Sequence, residues 1–133
     1  MTILVTGANG ALGKAFIPFL EAHYDEQVIG SVRSGGDNLK FINCDVSIKA
    51  DVHNLIKLAK PRLVFHLAAS FTNNFEIDIK VNALAAQYIF DALLDENLCS
   101  RVVILGSAAE YGLVKPENNP IDETNFCNPV SIY

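Results

Sequence analysis

Hydrophobic and polar positions along the chain alternate between short apolar runs and longer stretches with helical spacing. The short runs predict five β-strands, at Thr2–Thr6, Gln27–Val32, Leu39–Cys44, Leu63–Leu67 and Arg101–Leu105. Strands that are apolar on both faces need helices on each side of their sheet. The pattern therefore predicts an α/β fold with a doubly wound parallel sheet in a three-layer α/β/α arrangement.

Three stretches between these strands have apolar residues at the spacing of an amphipathic helix. Pro18 lies inside the first, and the second is expected to begin after an N-cap at Ser47 and to stop at Pro61. The apolar positions are Leu12, Ala15, Phe16, Phe19 and Leu20 in the first helix, Ile48, Val52, Leu55, Ile56 and Ala59 in the second, and Val81, Leu84, Ala85, Tyr88, Ile89, Ala92 and Leu93 in the third. Residues 110–133 contain three of the five prolines and show no sustained period, which predicts a long loop.

Composition excludes several classes of protein. Half of the 133 residues are hydrophobic and 19% are charged, which excludes an intrinsically disordered chain. The net charge is −5, with no basic cluster and no long apolar run, so we expect no nucleic-acid partner and no membrane span. Cys44, Cys99 and Cys127 form no C-x-x-C motif, so we expect reduced, buried thiols in a cytoplasmic protein, and no metal site.

The segment between the first strand and the first helix, TGANGALG at residues 6–13, is rich in glycine. Glycines at this spacing allow a tight turn, close approach of the backbone to a pyrophosphate, and close packing of helix on strand. The start of the helix also offers unpaired N–H groups and a positive dipole end to phosphates. We therefore expect a dinucleotide to bind at Gly7, Asn9, Gly10, Ala11, Leu12 and Gly13. A tight turn without a ligand is the alternative.

The glycine spacing is G-x-x-G-x-x-G, and five further motifs accompany it. They are CDV at 44–46, HLAA at 66–69, an asparagine at 82, GSAAEYG at 106–112 and NPVSIY at 128–133. Together they resemble the extended short-chain dehydrogenase/reductase family of nucleotide-sugar epimerases, dehydratases and 4-keto reductases. The resemblance covers essentially the whole chain and implies a Rossmann-type NAD(P)-binding domain over residues 1–133. Because family members are much longer, it also implies that this domain is incomplete and that the C-terminal substrate domain is absent.

The resemblance also implies which residues hold the cofactor. They are Asp45 at the adenine amino group, Val46 in the adenine pocket, Leu67, Ala68 and Ala69 along the cofactor, and Asn82. Charge pairing with the following helix is the alternative for Asp45.

The second strand runs into Arg33 without the acidic residue that usually binds a ribose 2′-hydroxyl. Arg33 can instead bind a 2′-phosphate, so we expect NADP, with NAD as the alternative. Stacking of Arg33 on the adenine, or its solvation, stays open. We expect His66, in an apolar strand, to be a core histidine rather than a catalytic one.

Two residues match the family's acid–base pair, namely Ser107 and Tyr133, the latter at the position of the Y-x-x-x-K tyrosine. Tyr111 belongs to the loop motif instead. A free tyrosine has a pKa near 10, and lowering that pKa to about 7 takes roughly 4 kcal/mol. Family members obtain this from a lysine four residues further on, a position that lies beyond Tyr133 here. We therefore expect residues 1–133 alone to be inactive.

The resemblance implies an NAD(P)-dependent oxidoreductase or epimerase that acts on a nucleotide-sugar substrate, by 4-keto reduction or 4-epimerisation. A 4,6-dehydratase is disfavoured because Ala108 and Ala109 occupy positions where dehydratases carry an acid that expels the 6-hydroxyl. The alternative from another class is a non-catalytic NADP-sensing module, although such a module needs neither Ser107 nor Tyr133. In the family, the helix matching Val81–Asp95 forms a dimer, so a homodimer is expected.

Overall fold

The computed structural model describes residues 1–36, 38 and 40–131. Across these residues the strands are β1 (Thr2–Thr6), β2 (Gln27–Val32), β3 (Phe41–Asn43), β4 (Leu63–His66) and β5 (Arg101–Ile104), and the helices are α1 (Ala11–His23), α2 (Lys49–Ala59), α3 (Phe75–Ile79) and α4 (Ala85–Asp95). The strands pair in parallel in the order β3-β2-β1-β4-β5. This order confirms the doubly wound parallel sheet of a Rossmann-type fold.

Each face of the sheet carries its own hydrophobic core, because successive side chains of β1 point to opposite faces. Ile3 and Val5 cluster with Ile17 and Leu20 of α1, whereas Leu4 clusters with residues of α2 and α4. The side chains of Ile3, Leu4 and Val5 are fully buried. Removing one such side chain from water contributes roughly 1.5–3 kcal/mol to stability. Burial on both faces explains why the central strand is apolar throughout.

The buried faces of the second and third helices agree with the predictions. Of the five positions predicted for the second helix, Val52, Leu55, Ile56 and Ala59 of α2 are buried, and Ile48, which precedes the helix, is exposed. All seven predicted positions of the third helix are buried or half-buried. This helix is longer than its pattern indicated, because α3 and α4 are joined by a π-helical segment, Lys80–Leu84.

The buried face of α1 differs from the prediction. Leu20 is buried and Phe16 is half-buried, but the other three predicted positions, Leu12, Ala15 and Phe19, are exposed. The helix instead turns Gly13 and Ile17 toward the sheet. Gly13 lies so close to the loop after β1 that a Cβ atom there would be 2.5 Å from the carbonyl oxygen of Gly7. This close approach sets the rotation of the helix and leaves Leu12 outside.

Two other expectations are wrong. Ser47 does not cap α2, because its N–H and hydroxyl both donate to Oδ1 of Asp45, and Ile48 occupies the N-cap position. Cys99 and Cys127 are exposed, so the expectation of buried thiols holds only for Cys44.

Strand β5 ends the sheet among the described residues and pairs with β4 alone. The expectation that helices cover both of its faces is wrong for the described part of the chain, since Val103 is 40% exposed and Ile104 is 45% exposed. Residues 105–131 follow as irregular backbone with two short 3₁₀ turns, as the loop prediction states. Within the described ranges, no helix has the length and apolar character needed to cross a membrane.

Candidate dinucleotide-binding site

A cavity of about 510 Å³ opens at the edge of the sheet where the strands end. It is lined by Gly7, Asn9, Gly10, Ser31, Val32, Arg33, Cys44, Asp45, Val46, Leu67, Ala68, Ala69, Ser70, Thr72, Ile77 and Val81. The chain leaves β1 toward β2, whereas it leaves β4 toward β5 on the other side. Ligands of doubly wound sheets bind at this kind of topological switch point, outside the carboxyl ends of the strands.

Nine of the residues predicted to hold a cofactor line this cavity: Gly7, Asn9, Gly10, Arg33, Asp45, Val46, Leu67, Ala68 and Ala69. Four others do not. Ala11 and Leu12 are exposed at the start of α1, Gly13 is buried against the preceding loop, and Asn82 forms hydrogen bonds with Ser70. Of the two predicted catalytic residues, Ser107 follows β5 at the same edge of the sheet, and Tyr133 lies outside the described residues.

Helix α1 begins beside the cavity without a side-chain cap. Gly10 is the N-cap residue, no side chain accepts a hydrogen bond from the first turn, and that turn contains no acidic residue. The first hydrogen bond of the helix runs from Lys14 N–H to the Gly10 carbonyl, at 3.0 Å. The N–H groups of Ala11, Leu12 and Gly13 thus precede the helical ladder and are left for an external acceptor. With the positive end of the helix dipole, they suit an anionic group.

The ends of β1 and β4 are tied together by Thr6. Its Oγ1 accepts hydrogen bonds from the N–H groups of Leu67 at 3.2 Å and Ala68 at 3.3 Å. Gly7 follows with a φ of +69°, and a Cβ atom there would lie 2.8 Å from the Ala68 nitrogen. Only glycine meets both demands without strain, so the cavity floor is built by close contact between two loop backbones.

His66 is buried under this floor. Its Nδ1 lies 2.7 Å from Thr6 Oγ1, which also accepts two N–H groups, so the threonine hydroxyl donates to Nδ1 and the proton of the neutral ring is assigned to Nε2. Burial lowers the pKa of His66. The Nε2 atom has no partner among the described residues. The ring is therefore neutral and part of the core, in keeping with a structural histidine.

The side of the cavity formed by β2 and β3 contains both of its charged residues. Arg33 is exposed directly after β2. Asp45 is half-buried, and its Oδ1 accepts from the Ser47 N–H at 2.9 Å, so one carboxylate oxygen is used within the turn. Burial, together with the carboxylates of Asp51 and Asp45, raises the pKa of Cys44 to about 12, so this lining residue stays a neutral thiol.

Ser107 begins the short turn that follows β5. Its Oγ accepts a hydrogen bond from the Ala109 N–H at 3.1 Å, which leaves the hydroxyl hydrogen free to donate elsewhere. The chain returns to this turn after a long excursion, because the Asn128 N–H donates to the Glu110 carbonyl at 2.8 Å. The segment that leads to Tyr133 thus starts beside the Ser107 turn.

Tyr111 lies in the same turn and borders a second cavity of about 450 Å³, formed with residues of the 113–128 loop. Burial, reinforced by the carboxylate of Glu110, raises the pKa of Tyr111. Its phenol therefore stays protonated at neutral pH. A raised pKa is the opposite of what a general base of this kind needs.

Sequence reasoning missed the polar lining residues Ser31, Ser70 and Thr72, and also Asp78 behind the last two. Ser70 and Thr72 share Asp78 as a hydrogen-bond partner. Asp78 is buried in α3, and its carboxylate accepts these hydrogen bonds. The available signal was spacing, since Asp78 stands four residues before Asn82 and residues four apart share a face of a helix.

Strand order, the cavity at the switch point and the uncapped glycine-rich helix start are those of a Rossmann-type α/β fold. Residues 3–133 match the model of the NAD dependent epimerase/dehydratase family, and the chain belongs to that family.

Similar proteins include enzymes whose names refer to nucleotide sugars. The chain is 28% identical, over all of its length, to 44% of a GDP-6-deoxy-D-talose 4-dehydrogenase from Aggregatibacter actinomycetemcomitans. It aligns over 99% of its length with 48% of the enzyme WbmH from Bordetella bronchiseptica, solved with NAD⁺, at 26% identity and a TM-score of 0.80. It aligns throughout with 46% of the UDP-glucose 4-epimerase of Thermus thermophilus, solved with NAD, at 24% identity and a TM-score of 0.81. The chain thus spans less than half the length of these relatives.

Proposed function

We propose that this chain is the dinucleotide-binding part of an NAD(P)-dependent enzyme that acts on a nucleotide-activated sugar. The observation that carries the proposal is the uncapped start of α1 at the 510 Å³ cavity, where the first backbone N–H groups have no acceptor within the helix and can bind an anion. A pyrophosphate is such an anion, and the cavity falls within the usual size range of small-molecule sites. The name of the GDP-6-deoxy-D-talose 4-dehydrogenase supports the nucleotide-sugar part of the proposal.

The test is a substitution at Gly10, which lines the cavity. A Cβ atom at this position would have a single close neighbour, the Gly7 carbonyl oxygen at 3.1 Å. Valine there has only this one close backbone contact to relieve, and it places a branched side chain where a pyrophosphate must approach. We expect NADH and NADPH, titrated by fluorescence, to bind the wild type and to bind Gly10→Val severalfold more weakly.

Ala22→Val adds comparable bulk to an exposed position of α1 and serves as the control. Its affinity for both dinucleotides should equal that of the wild type. Unchanged affinity in a Gly10→Val variant with normal circular dichroism would contradict the proposal.

The choice between the two dinucleotides rests on Arg33. Relatives solved with a cofactor hold NAD, and the family carries NAD in its description. In this chain, however, Arg33 borders the cavity after β2, and among the described residues no acidic residue lines that strand end. An acidic residue there is what selects a free 2′-hydroxyl, whereas arginine suits a 2′-phosphate. We therefore propose NADP as the preferred cofactor and NAD as the second candidate.

For the reaction we propose Ser107 and Tyr133 as the acid–base pair. When bound, the nicotinamide ring supplies or accepts hydride. The Ser107 hydroxyl hydrogen is available to donate to the sugar oxygen at the reacting carbon, because Oγ is already fixed as an acceptor. The Tyr133 phenol exchanges the proton of that oxygen once a nearby cation has lowered its pKa.

The position on the sugar is proposed to be carbon 4, by reduction of a 4-keto group or by epimerisation. The name of the talose dehydrogenase refers to that carbon, and the description of the family includes epimerases. Ala108 and Ala109, in the turn after Ser107, provide no acid for dehydration.

Activity is tested by comparing two lengths of polypeptide. Residues 1–133 contain no lysine four positions after Tyr133, so we expect dinucleotide binding without turnover of nucleotide 4-ketohexoses or UDP-sugars. A chain extended through that lysine and a substrate domain should be active, and Tyr133→Phe should abolish its activity. Robust turnover by residues 1–133 would show that Tyr133 is not the acid–base residue. An extended chain that binds NADPH and turns over nothing would favour the sensing module instead.

We also propose that the protein forms a homodimer through α4. Phe90 and Leu94 lie one turn apart on the outer face of this helix, 46% and 75% exposed. Light scattering after gel filtration should report a dimer for the wild type and a monomer for Leu94→Lys. A wild type that stays monomeric at concentrations below those at which the β5 edge causes precipitation would contradict this proposal.

A further inference from the structure

A buried carboxylate organises the loop that follows β4. Asp78 is 1% exposed, yet its Oδ1 accepts hydrogen bonds from Ser70 Oγ at 2.7 Å, from the Thr72 N–H at 3.1 Å and from Thr72 Oγ1 at 2.8 Å. Burial by itself raises the pKa of Asp78, but these bonds and one from the Asn73 N–H outweigh it, so the net pKa is lowered. The ionised carboxylate is thus matched to a set of donors from one short loop.

The side chain of Asn82 binds the main chain of the same loop. Its Oδ1 accepts from the Ser70 N–H at 2.7 Å, and its Nδ2 donates to the Ser70 carbonyl at 2.8 Å. Both functional groups of the amide are therefore used on one residue. Asp78 and Asn82 together fix Ser70 through its side chain and its main chain, and Asp78 adds Thr72.

This loop forms the wall of the cavity on the side of β4. Ser70 and Thr72 line the cavity, whereas Asp78 lies behind them and does not. Arg33 and Asp45 lie across the switch point, where β2 and β3 end. A dinucleotide that crosses the switch point places one nucleoside on each side. The loop therefore faces the half of the ligand opposite to the one near Arg33 and Asp45.

We propose that Asp78 is a positioning residue that holds Ser70 and Thr72 in place against the nicotinamide half of the dinucleotide. The inference rests on the proposed function and deepens it, since it assigns one half of the ligand to a loop and the rigidity of that loop to one carboxylate. Asn in place of Asp78 keeps the shape and one acceptor oxygen, but it removes the negative charge and places an NH₂ donor at the position of Oδ2, which accepts from the Thr72 N–H at 3.3 Å. The hold of residue 78 on the loop is then weakened while the Arg33 side of the cavity is untouched.

The experiment measures the dissociation constants of NADH, NADPH and ADP by calorimetry for wild type and Asp78→Asn. We expect the tighter-binding dinucleotide to lose roughly tenfold in affinity, as for loss of hydrogen bonds to a charged group, and ADP to change less than about twofold. Glu76→Gln removes an exposed carboxylate from the same helix and should leave all three constants unchanged. A role in general stability would weaken ADP and the dinucleotide alike, so equal losses would overturn the inference.

Thr72→Val provides a second route, which does not depend on the folding of a variant at a buried site. Thr72→Val should also weaken dinucleotide binding without weakening ADP binding. The double variant Asp78→Asn/Thr72→Val should bind the dinucleotide about as well as the weaker of the two single variants, because Asp78 and Thr72 act through the hydrogen bonds between them. Additive losses, or unchanged dinucleotide affinity in folded Asp78→Asn, would overturn the inference. A wild type that binds neither ADP nor a dinucleotide would overturn the proposed function first, and the inference with it.

Discussion

Gly13 offers the sharpest test of how the glycine-rich loop is built. It lies in the first turn of α1, where alanine would ordinarily improve a helix by about 0.8–1 kcal/mol. In this structure a Cβ atom at Gly13 would lie 2.5 Å from the Gly7 oxygen and 2.8 Å from both Cα and the oxygen of Ala8. All three neighbours are backbone atoms, which cannot rotate away as a flexible side chain can.

The expected magnitude follows from these opposing terms. Overpacking typically costs about 1–3 kcal/mol, and the upper end applies here because the loop backbone itself must move. After the gain in helix propensity is subtracted, Gly13→Ala should lower the free energy of unfolding by about 2 kcal/mol. For a domain of this size, that corresponds to a fall in Tm of roughly 8 °C.

Urea denaturation followed by circular dichroism measures this loss directly. Gly10→Ala is the matched control, because the same methyl group three residues earlier has one neighbour at 3.1 Å and a φ of −68° that suits any residue. It should cost no more than about 1 kcal/mol. If Gly13→Ala were as stable as the wild type, the close packing of α1 on the β1 loop, and with it our explanation of the rotation of the helix, would be refuted.

Three further predictions concern single side chains. If Arg33 binds a 2′-phosphate, Arg33→Ala should weaken the binding of NADPH by about 1.5–3 kcal/mol and leave the affinity for NADH nearly unchanged. Equal losses of affinity for both dinucleotides would contradict the preference for NADP. Ellman's reagent at pH 8 should label Cys99 and Cys127 quickly and Cys44 slowly, because a buried thiol with a pKa raised to about 12 forms almost no thiolate; three equal rates would contradict that burial. Burial lowers the pKa of His66, so the unfolded chain binds a proton that the folded chain does not, and the free energy of unfolding should fall as pH drops below about 6.5. His66→Gln should flatten this fall between pH 7 and pH 5 in urea titrations, and an equally steep profile would show that His66 is not its source.

The sequence predicted the elements well because their signals are local. The bounds of β1 and β2 are those read from the apolar runs, and α2 buries four of its five predicted positions. Continuous apolar runs separated by amphipathic stretches admit few architectures other than a helix-covered parallel sheet. The fold class therefore followed from composition and periodicity.

The failures depend on how separate segments approach each other or, at Ser47, on a competing hydrogen bond within one turn. Leu12 fits the helical pattern but lies outside, because the contact between Gly13 and the β1 loop decides the rotation of α1. Ser47 is a good cap by residue type, yet its hydrogen bonds go to Asp45. Nothing in the residue type of Asp78 shows that the β4 loop will fold over it.

The candidate site was predicted in outline for a different reason. Most of its predicted lining residues were identified because they fall in motifs that contact the cofactor in the family. The glycine spacing by itself also indicates a tight turn that lets a pyrophosphate approach the backbone. Ser70 and Thr72 belong to no such motif. Hydrogen bonds to Asp78 and Asn82 hold the loop that carries them against the cavity.

The position of β5 at the margin of the described sheet has a practical consequence for the behaviour of residues 1–133 in solution. An outermost strand presents one row of backbone donors and acceptors, and here its apolar side chains, Val103 and Ile104, are also in water. A strand of another molecule can pair with such an edge. The polypeptide should therefore precipitate or form oligomers of indefinite size as its concentration rises. A lysine at Val103 is the kind of residue that natural sheets use to prevent this pairing. Binding measurements on residues 1–133 therefore belong at low concentration or in a Val103→Lys background.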